Sequence, residues 1–177
     1  NFDTIIIKQN NYLEGTLIID KQLTLIGENF PVLNGEAKNQ IIIVKSSNVK
    51  ISGFIFKNSG VSFLSDNSAI NLDNVTNCII ENNKFINNFF AVYLSKSSNC
   101  KIINNQIKSN STKQTFSGNG IHLWNCRDIL IEGNRIEGHR DGIYLEFVKH
   151  SQIIKNISKN NLRYGLHFMF SDSCLYK

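Results

Sequence analysis

The chain has 177 residues, 41% of them hydrophobic and 19% charged, with 19 Lys+Arg against 14 Asp+Glu. That is long and apolar enough for one globular unit and excludes a disordered acidic tail. The 26 Asn and 26 Ile against one Pro and one Met favour strands and turns over a helical bundle. The basic residues are scattered, which argues against nucleic acid as a partner, and no apolar run reaches the roughly 18 residues of a membrane span.

From Thr4 to Glu36, TIIIKQNNYLEGTLIIDKQLTLIGENFPVLNGE, apolar and polar residues alternate between glycine turns. This stretch predicts the first coils and the N-terminal cap, residues 1–40, which a solenoid needs to cover its open sheet edge. Beyond it one pattern recurs, starting at Ile41, Ile70, Val92, Ile121, Ile143 and Leu166, with steps of 29, 22, 29, 22 and 23. Both longer steps hold a polar insert, residues 60–67 (GVSFLSDN) and 111–118 (STKQTFSG), so the basic unit has about 22 residues.

Each unit reads apolar-x-apolar, a turn, apolar-x-apolar, Asn or Gly, then x-apolar, as in AVYLSKSSNCKIINNQI from Ala91 and GIHLWNCRDILIEGNRI from Gly120. The runs are too short for helices and alternate as strands do, about three to a unit. Such a triplet cannot bury its apolar face alone. Stacking equivalent strands at the roughly 4.8 Å spacing of neighbours does bury it, and predicts an all-β, right-handed parallel β-helix over residues 1–177, with regular coils from 41 onward. Because Cys174-Leu-Tyr-Lys177 stops in mid-coil, the expectation is a fragment of a longer solenoid.

The register assigns further residues. Asn83, Asn105, Asn134 and Asn156 fall at one corner, where stacked amides can hydrogen-bond along the column. Cys78, Cys100 and Cys174 share one core slot, filled by Ile129 and Ser151 in the coils between. That pattern reads as small buried hydrophobes, with a Cys78–Cys100 bridge as the alternative, and the spacings make no zinc site.

If Ile121 and Leu123 point inward, His122 and Trp124 point outward. The same register gives two surface columns: Asn71, Tyr93, His122, Tyr144, His167, and Asp73, Ser95, Trp124, Glu146, Met169. A contiguous aromatic cluster suggests a ligand or partner face. His167 and Met169, at i and i+2, offer an imidazole and a thioether, a pairing that suits Cu(I), with His122 as a third donor; the pair also arises by chance on an exposed strand. Tyr93, Trp124 and Tyr144 with Glu146 equally suit stacking and hydrogen bonding to a sugar. No nucleophile triad, phosphate loop or H-E-x-x-H is present, and Asp73 and Glu146 are about 14 Å apart at strand spacing, too far for a glycosidase pair. The loop from Gly138 to Gly142 holds His139, Arg140 and Asp141, and the next turn holds Arg163. These read either as an Asp–Arg pair stiffening a corner or as a polar docking rim.

The run from Gly118 to Ser173, above all GIHLW, GHRDGIY and RYGLHFMFS, resembles the NosD family, and LTLIGENFPVLNGE at Leu23–Glu36 is similar to its N-terminal part. The resemblance implies a non-enzymatic periplasmic protein, peripheral to the membrane, that handles copper. It would act with ABC transporter subunits and a copper chaperone lipoprotein in maturing nitrous oxide reductase. The generic coils resemble the wider carbohydrate-binding and sugar-hydrolase β-helix repeats, which keeps open a carbohydrate-processing role, and a metal-independent interaction solenoid is the third reading. The family is substantially longer than this chain.

Overall fold

In the computed structural model, which describes residues 3–62 and 66–177, every strand pairs in parallel with its equivalents in neighbouring coils. The result is three sheets, of eight, seven and seven strands among the described residues, wrapped around one core: a parallel β-helix. Residues 3–40 supply strands to all three sheets, beginning with Asp3–Ile7, Asn11–Tyr12 and Leu17–Ile19. The edge strand Asp3–Ile7 leaves Ile5 and Ile6 exposed.

Register follows the repeat. Val92, Ile121, Ile143 and Leu166 pair as equivalents. One start differs: Ile42, not Ile41, pairs with both Leu17 and Ile70. Three consecutive isoleucines make the pattern ambiguous by one residue, and Ile41 instead turns the corner, its N–H donating to the Ser68 carbonyl. Of the first insert, residues 63–65 lie outside the described residues; the second contains a single 3-10 turn, Gln114–Phe116.

The interior is a set of stacked columns. Ile51, Ile80, Ile102 and Ile131 are fully buried in the eight-stranded sheet, and Phe56 and Phe85 stack at 5.1 Å in the next. Cys78, Cys100, Ile129 and Ser151 occupy one buried column, Cys174 is half-buried, and all four thiols are free.

The corners explain the asparagine content. Left-handed backbone recurs at Asn48, Asn77 and Asn99, at Asn82 and Asn104, and at Asn58, Asn87 and Asn160. Asn is among the few residues whose short side chain tolerates that region. Asn83, Asn105, Asn134 and Asn156 do a different job. The Oδ1 of Asn105 accepts the backbone N–H of Asn83 at 3.0 Å, Asn134 does so for Asn105 at 2.9 Å, and Asn156 for Asn134 at 2.9 Å. Each Nδ2 donates to a carbonyl of the preceding coil, for instance Asn134 to Ile102 at 2.8 Å. The ladder thus satisfies corner groups that water cannot reach.

Candidate functional site

The strands Ser68–Asp73, Phe90–Ser95, Ile121–Trp124, Asp141–Glu146 and Tyr164–Met169 carry the two columns read from the sequence, in that register. The first column is a ladder of rings. His122 meets Tyr93 edge-to-face at 5.0 Å and Tyr144 at 4.7 Å, and Tyr144 meets His167 at 5.0 Å.

This column is not the open face the alternation implied. Tyr93 and Tyr144 are buried, Tyr144 between the His122 and His167 rings of its own column and Tyr93 beneath two further side chains. Phe90 stacks on Tyr93 at 5.6 Å and meets His122 at 5.2 Å, and the Asp66 carboxylate accepts the Tyr93 hydroxyl. Burial, reinforced by Asp66, pushes the Tyr93 phenol up, and burial does the same to Tyr144.

His122 is held neutral. Burial, helped by the Arg140 guanidinium and opposed by Asp141, lowers its pKa to about 3. Its Nδ1 lies 3.3 Å from Nδ2 of the buried Asn119, whereas Nε2 has no hydrogen-bond partner among the described residues. His167 is more open. Its Nδ1 is 3.5 Å from Asp141 Oδ2 and 3.4 Å from Arg163 Nη2, and Tyr164 flanks the ring at 4.8 Å.

The Asp141 carboxylate is the electrostatic centre of this end. Its side chain is fully buried and receives Arg163 bidentately, Nε to Oδ1 at 3.0 Å and Nη2 to Oδ2 at 2.6 Å, with the Tyr164 N–H donating to Oδ1 at 3.3 Å. Burial pushes its pKa up, but Arg163 more than offsets that and holds it below the ordinary carboxylate range. The expected corner pair therefore closes between coils, while Arg140, the sequence neighbour, keeps its Nε 4.0 Å from Oδ2. His139 is no part of a docking rim. It is wholly enclosed, and that burial lowers its pKa to about 4; the adjacent Gly138 turns at φ 77°, where a Cβ would collide with the Ser109 carbonyl.

In the second column Ser95 donates to Asp73 at 3.2 Å, the Lys96 ammonium sits 5.5 Å from the Trp124 ring centre, and Glu146 and Met169 are half-buried. Between the columns lies an open hollow of about 310 Å³ lined by Asp66, Tyr93, His122, Trp124 and Glu146. It brings together four of the residues singled out from the sequence. It leaves His167 and Met169 one or two coils away, with the Tyr144 ring between His122 and His167. No group of three or more His, Cys, Asp or Glu side chains among the described residues is placed to hold a metal. Sequence reasoning missed Asp66, Phe90 and Asn119. Asp66 belongs to an insert, where the repeat gives no register; Phe90 opens its strand two residues before Val92, where strict alternation would turn it inward, and Asn119 lies two residues before Ile121, outside the strand.

The profile of the family described as the right-handed β-helix region matches residues 39–175. Among curated proteins, the chain is 30% identical over 130 residues to the probable ABC transporter binding protein NosD of Pseudomonas aeruginosa. That alignment covers 72% of this chain and 30% of the relative, so the chain spans about a third of that relative's length.

Proposed function

The chain belongs to the right-handed β-helix family and is NosD-like within it, and from that premise we propose that it is a non-enzymatic, periplasmic scaffold that handles copper as cargo and docks to an ABC transporter. The relative's name supports the transporter association. On this reading the transporter and a lipoprotein chaperone are the partners, and nitrous oxide reductase receives the metal.

The observation that carries the copper reading is the placement of His167 and Met169 on one face of the strand Tyr164–Met169, both partly accessible. His167 Nδ1 faces Asp141 and Arg163, which leaves the other ring nitrogen as the donor, and a thioether beside an imidazole suits a soft monovalent ion. Asp141 neutralises the Arg163 charge that would otherwise repel a cation there. Two soft donors fit Cu(I). His122 is held apart by the Tyr144 ring and does not complete the set.

An anaerobic Cu(I) competition titration against a chromophoric chelator tests this, on the full chain and on a His167→Ala, Met169→Ala variant. Uptake lost in the variant supports the reading; no uptake by the unmutated chain, or uptake unchanged in the variant, overturns the ligand assignment.

A second reading rests on the hollow between the columns, where Asp66 and Glu146 flank the half-buried Trp124 ring as polar groups flank an aromatic platform in a sugar site. It predicts that soluble polysaccharides retard the protein in affinity electrophoresis and that Trp124→Ala abolishes the retardation.

A further inference from the structure

A second hollow, of about 540 Å³, opens on the corner that follows these strands, where Thr76, Ser98, Arg127, Lys149 and Asp172 form isolated parallel bridges coil over coil. Three cations line it, Lys96, Arg127 and Lys149. None of them reaches a carboxylate within 4.0 Å among the described residues. The acids nearest to Arg127 and Lys149 in sequence and register are Asp128 and Asp172, and Asp172 instead accepts the Ser173 hydroxyl at 3.0 Å.

The wall of this hollow is made by a residue that the fold does not favour there. Phe147 has φ 54° and Phe170, one coil on, has φ 48°. The equivalent positions in earlier coils hold Asn74, Lys96 and Asn125, at φ 53°, 49° and 51°. Left-handed backbone is costly for a bulky side chain, and it is tolerated chiefly where the surroundings or a function demand it. The surroundings make no such demand at Phe147, whose ring stays 45% exposed although Phe170 of the next coil stacks on it at 5.1 Å with planes 11° apart. The backbone and the exposure both count against Phe147 in the free protein, and an apolar side chain seated on its ring would offset both.

We propose that this corner is a docking groove for an acidic, apolar-bearing segment of a partner protein, its carboxylates against Lys96, Arg127 and Lys149 and an apolar side chain on the Phe147–Phe170 stack. Charge complementarity sets the sign of the partner: three cations without a carboxylate partner among the described residues, on a chain of net charge +5, select an anionic segment and steer its approach. Exposed aromatics beside arginine are also the composition of protein-binding hot spots. Phenyl rings lack a polar tip to meet sugar hydroxyls, which favours a peptide over an acidic polysaccharide. The groove uses none of the copper-donor residues and stands independently of that reading.

The test is fluorescence anisotropy of a labelled peptide of alternating glutamate and leucine, titrated with the full chain at low and physiological salt. A lysine–leucine peptide serves as control and polygalacturonate as competitor. The expected result is binding of the acidic peptide alone, weakened by salt and weakened about tenfold by Arg127→Glu with Lys149→Glu. A second variant, Phe147→Asn with Phe170→Asn, separates binding from folding: it should lose affinity by a similar factor while unfolding at higher urea than the unmutated chain. No binding of the acidic peptide, binding by either variant as tight as by the unmutated chain, displacement by polygalacturonate with no effect of the phenylalanine changes, or a lower urea midpoint for the asparagine variant would each overturn the proposal.

Discussion

His139 makes the fold sensitive to mild acid, and the size of the effect can be worked out. The imidazole is fully buried, with its pKa lowered from 6.5 to about 4, chiefly by desolvation and against the pull of the Gly118 and Phe89 carbonyls. In the unfolded chain the ring protonates as pH falls below 6.5, while in the folded chain it stays neutral until about pH 4. The unfolded state therefore binds the proton first, so stability is lost as pH falls through this window and the loss levels off below it. At pH 5 the unfolded ring is protonated by about thirty to one and the folded ring by about one to ten, which amounts to about 2 kcal/mol lost relative to pH 7. His139→Asn removes the titration and keeps a polar side chain of the kind found at the sister positions Asn88 and Asn161. Whatever the smaller side chain costs is common to both pH values and cancels in the difference. Urea unfolding followed by Trp124 fluorescence, at pH 7 and pH 5 and constant ionic strength, measures it. The unmutated chain should lose about 2 kcal/mol more on acidification than the variant. Equal losses would refute the argument that burial keeps this histidine neutral.

The asparagine ladder makes a second expectation. Asn134→Ala strips the acceptor from the Asn105 N–H and the donor from the Ile102 carbonyl, both buried, and should cost about 3 kcal/mol in urea unfolding; a loss below about 1 kcal/mol would mean that water replaces the amide. Asp141→Asn removes the charge that holds Arg163, whose side chain is a third exposed, so the cost at pH 7 should be about 2 kcal/mol, less than for a fully buried pair. Because Asp141 titrates below the ordinary carboxylate range, its contribution is complete above pH 4–5 and fades as pH falls further, so the stability gap between the two proteins should narrow on acidification below that range. A difference that stays constant with pH would show that packing, not charge, is what the substitution removes.

Much of this architecture was legible in the sequence because it is periodic. A 22-residue repeat of alternating apolar residues leaves the stacked coil as the arrangement that buries all of them, and the asparagine ladder and the shared cysteine slot follow from register alone. Register also placed His122, Tyr144, His167, Trp124, Glu146 and Met169 in their two columns. It failed where the period is interrupted or locally degenerate, at Ile41 beside two more isoleucines and at Asp66 within an insert.

Alternation tells which way a side chain leaves its strand, not what lies on top of it. Whether an outward ring meets water or another ring depends on what folds over it, and here Phe90 and Asn119, from the approaches to the strands, and Asp66, from an insert, cover the column at Tyr93 and His122. For the same reason Asp141 pairs with Arg163 across coils rather than with adjacent Arg140, and His139 turns inward at a glycine corner. The sequence by itself determined the stacked coil and its columns, since those depend only on the repeat of apolar residues along the chain. Burial, charge pairing and the strained Phe147 and Phe170 corner were decided by the tertiary structure, since each depends on distances between coils and on backbone angles that a one-dimensional pattern does not contain.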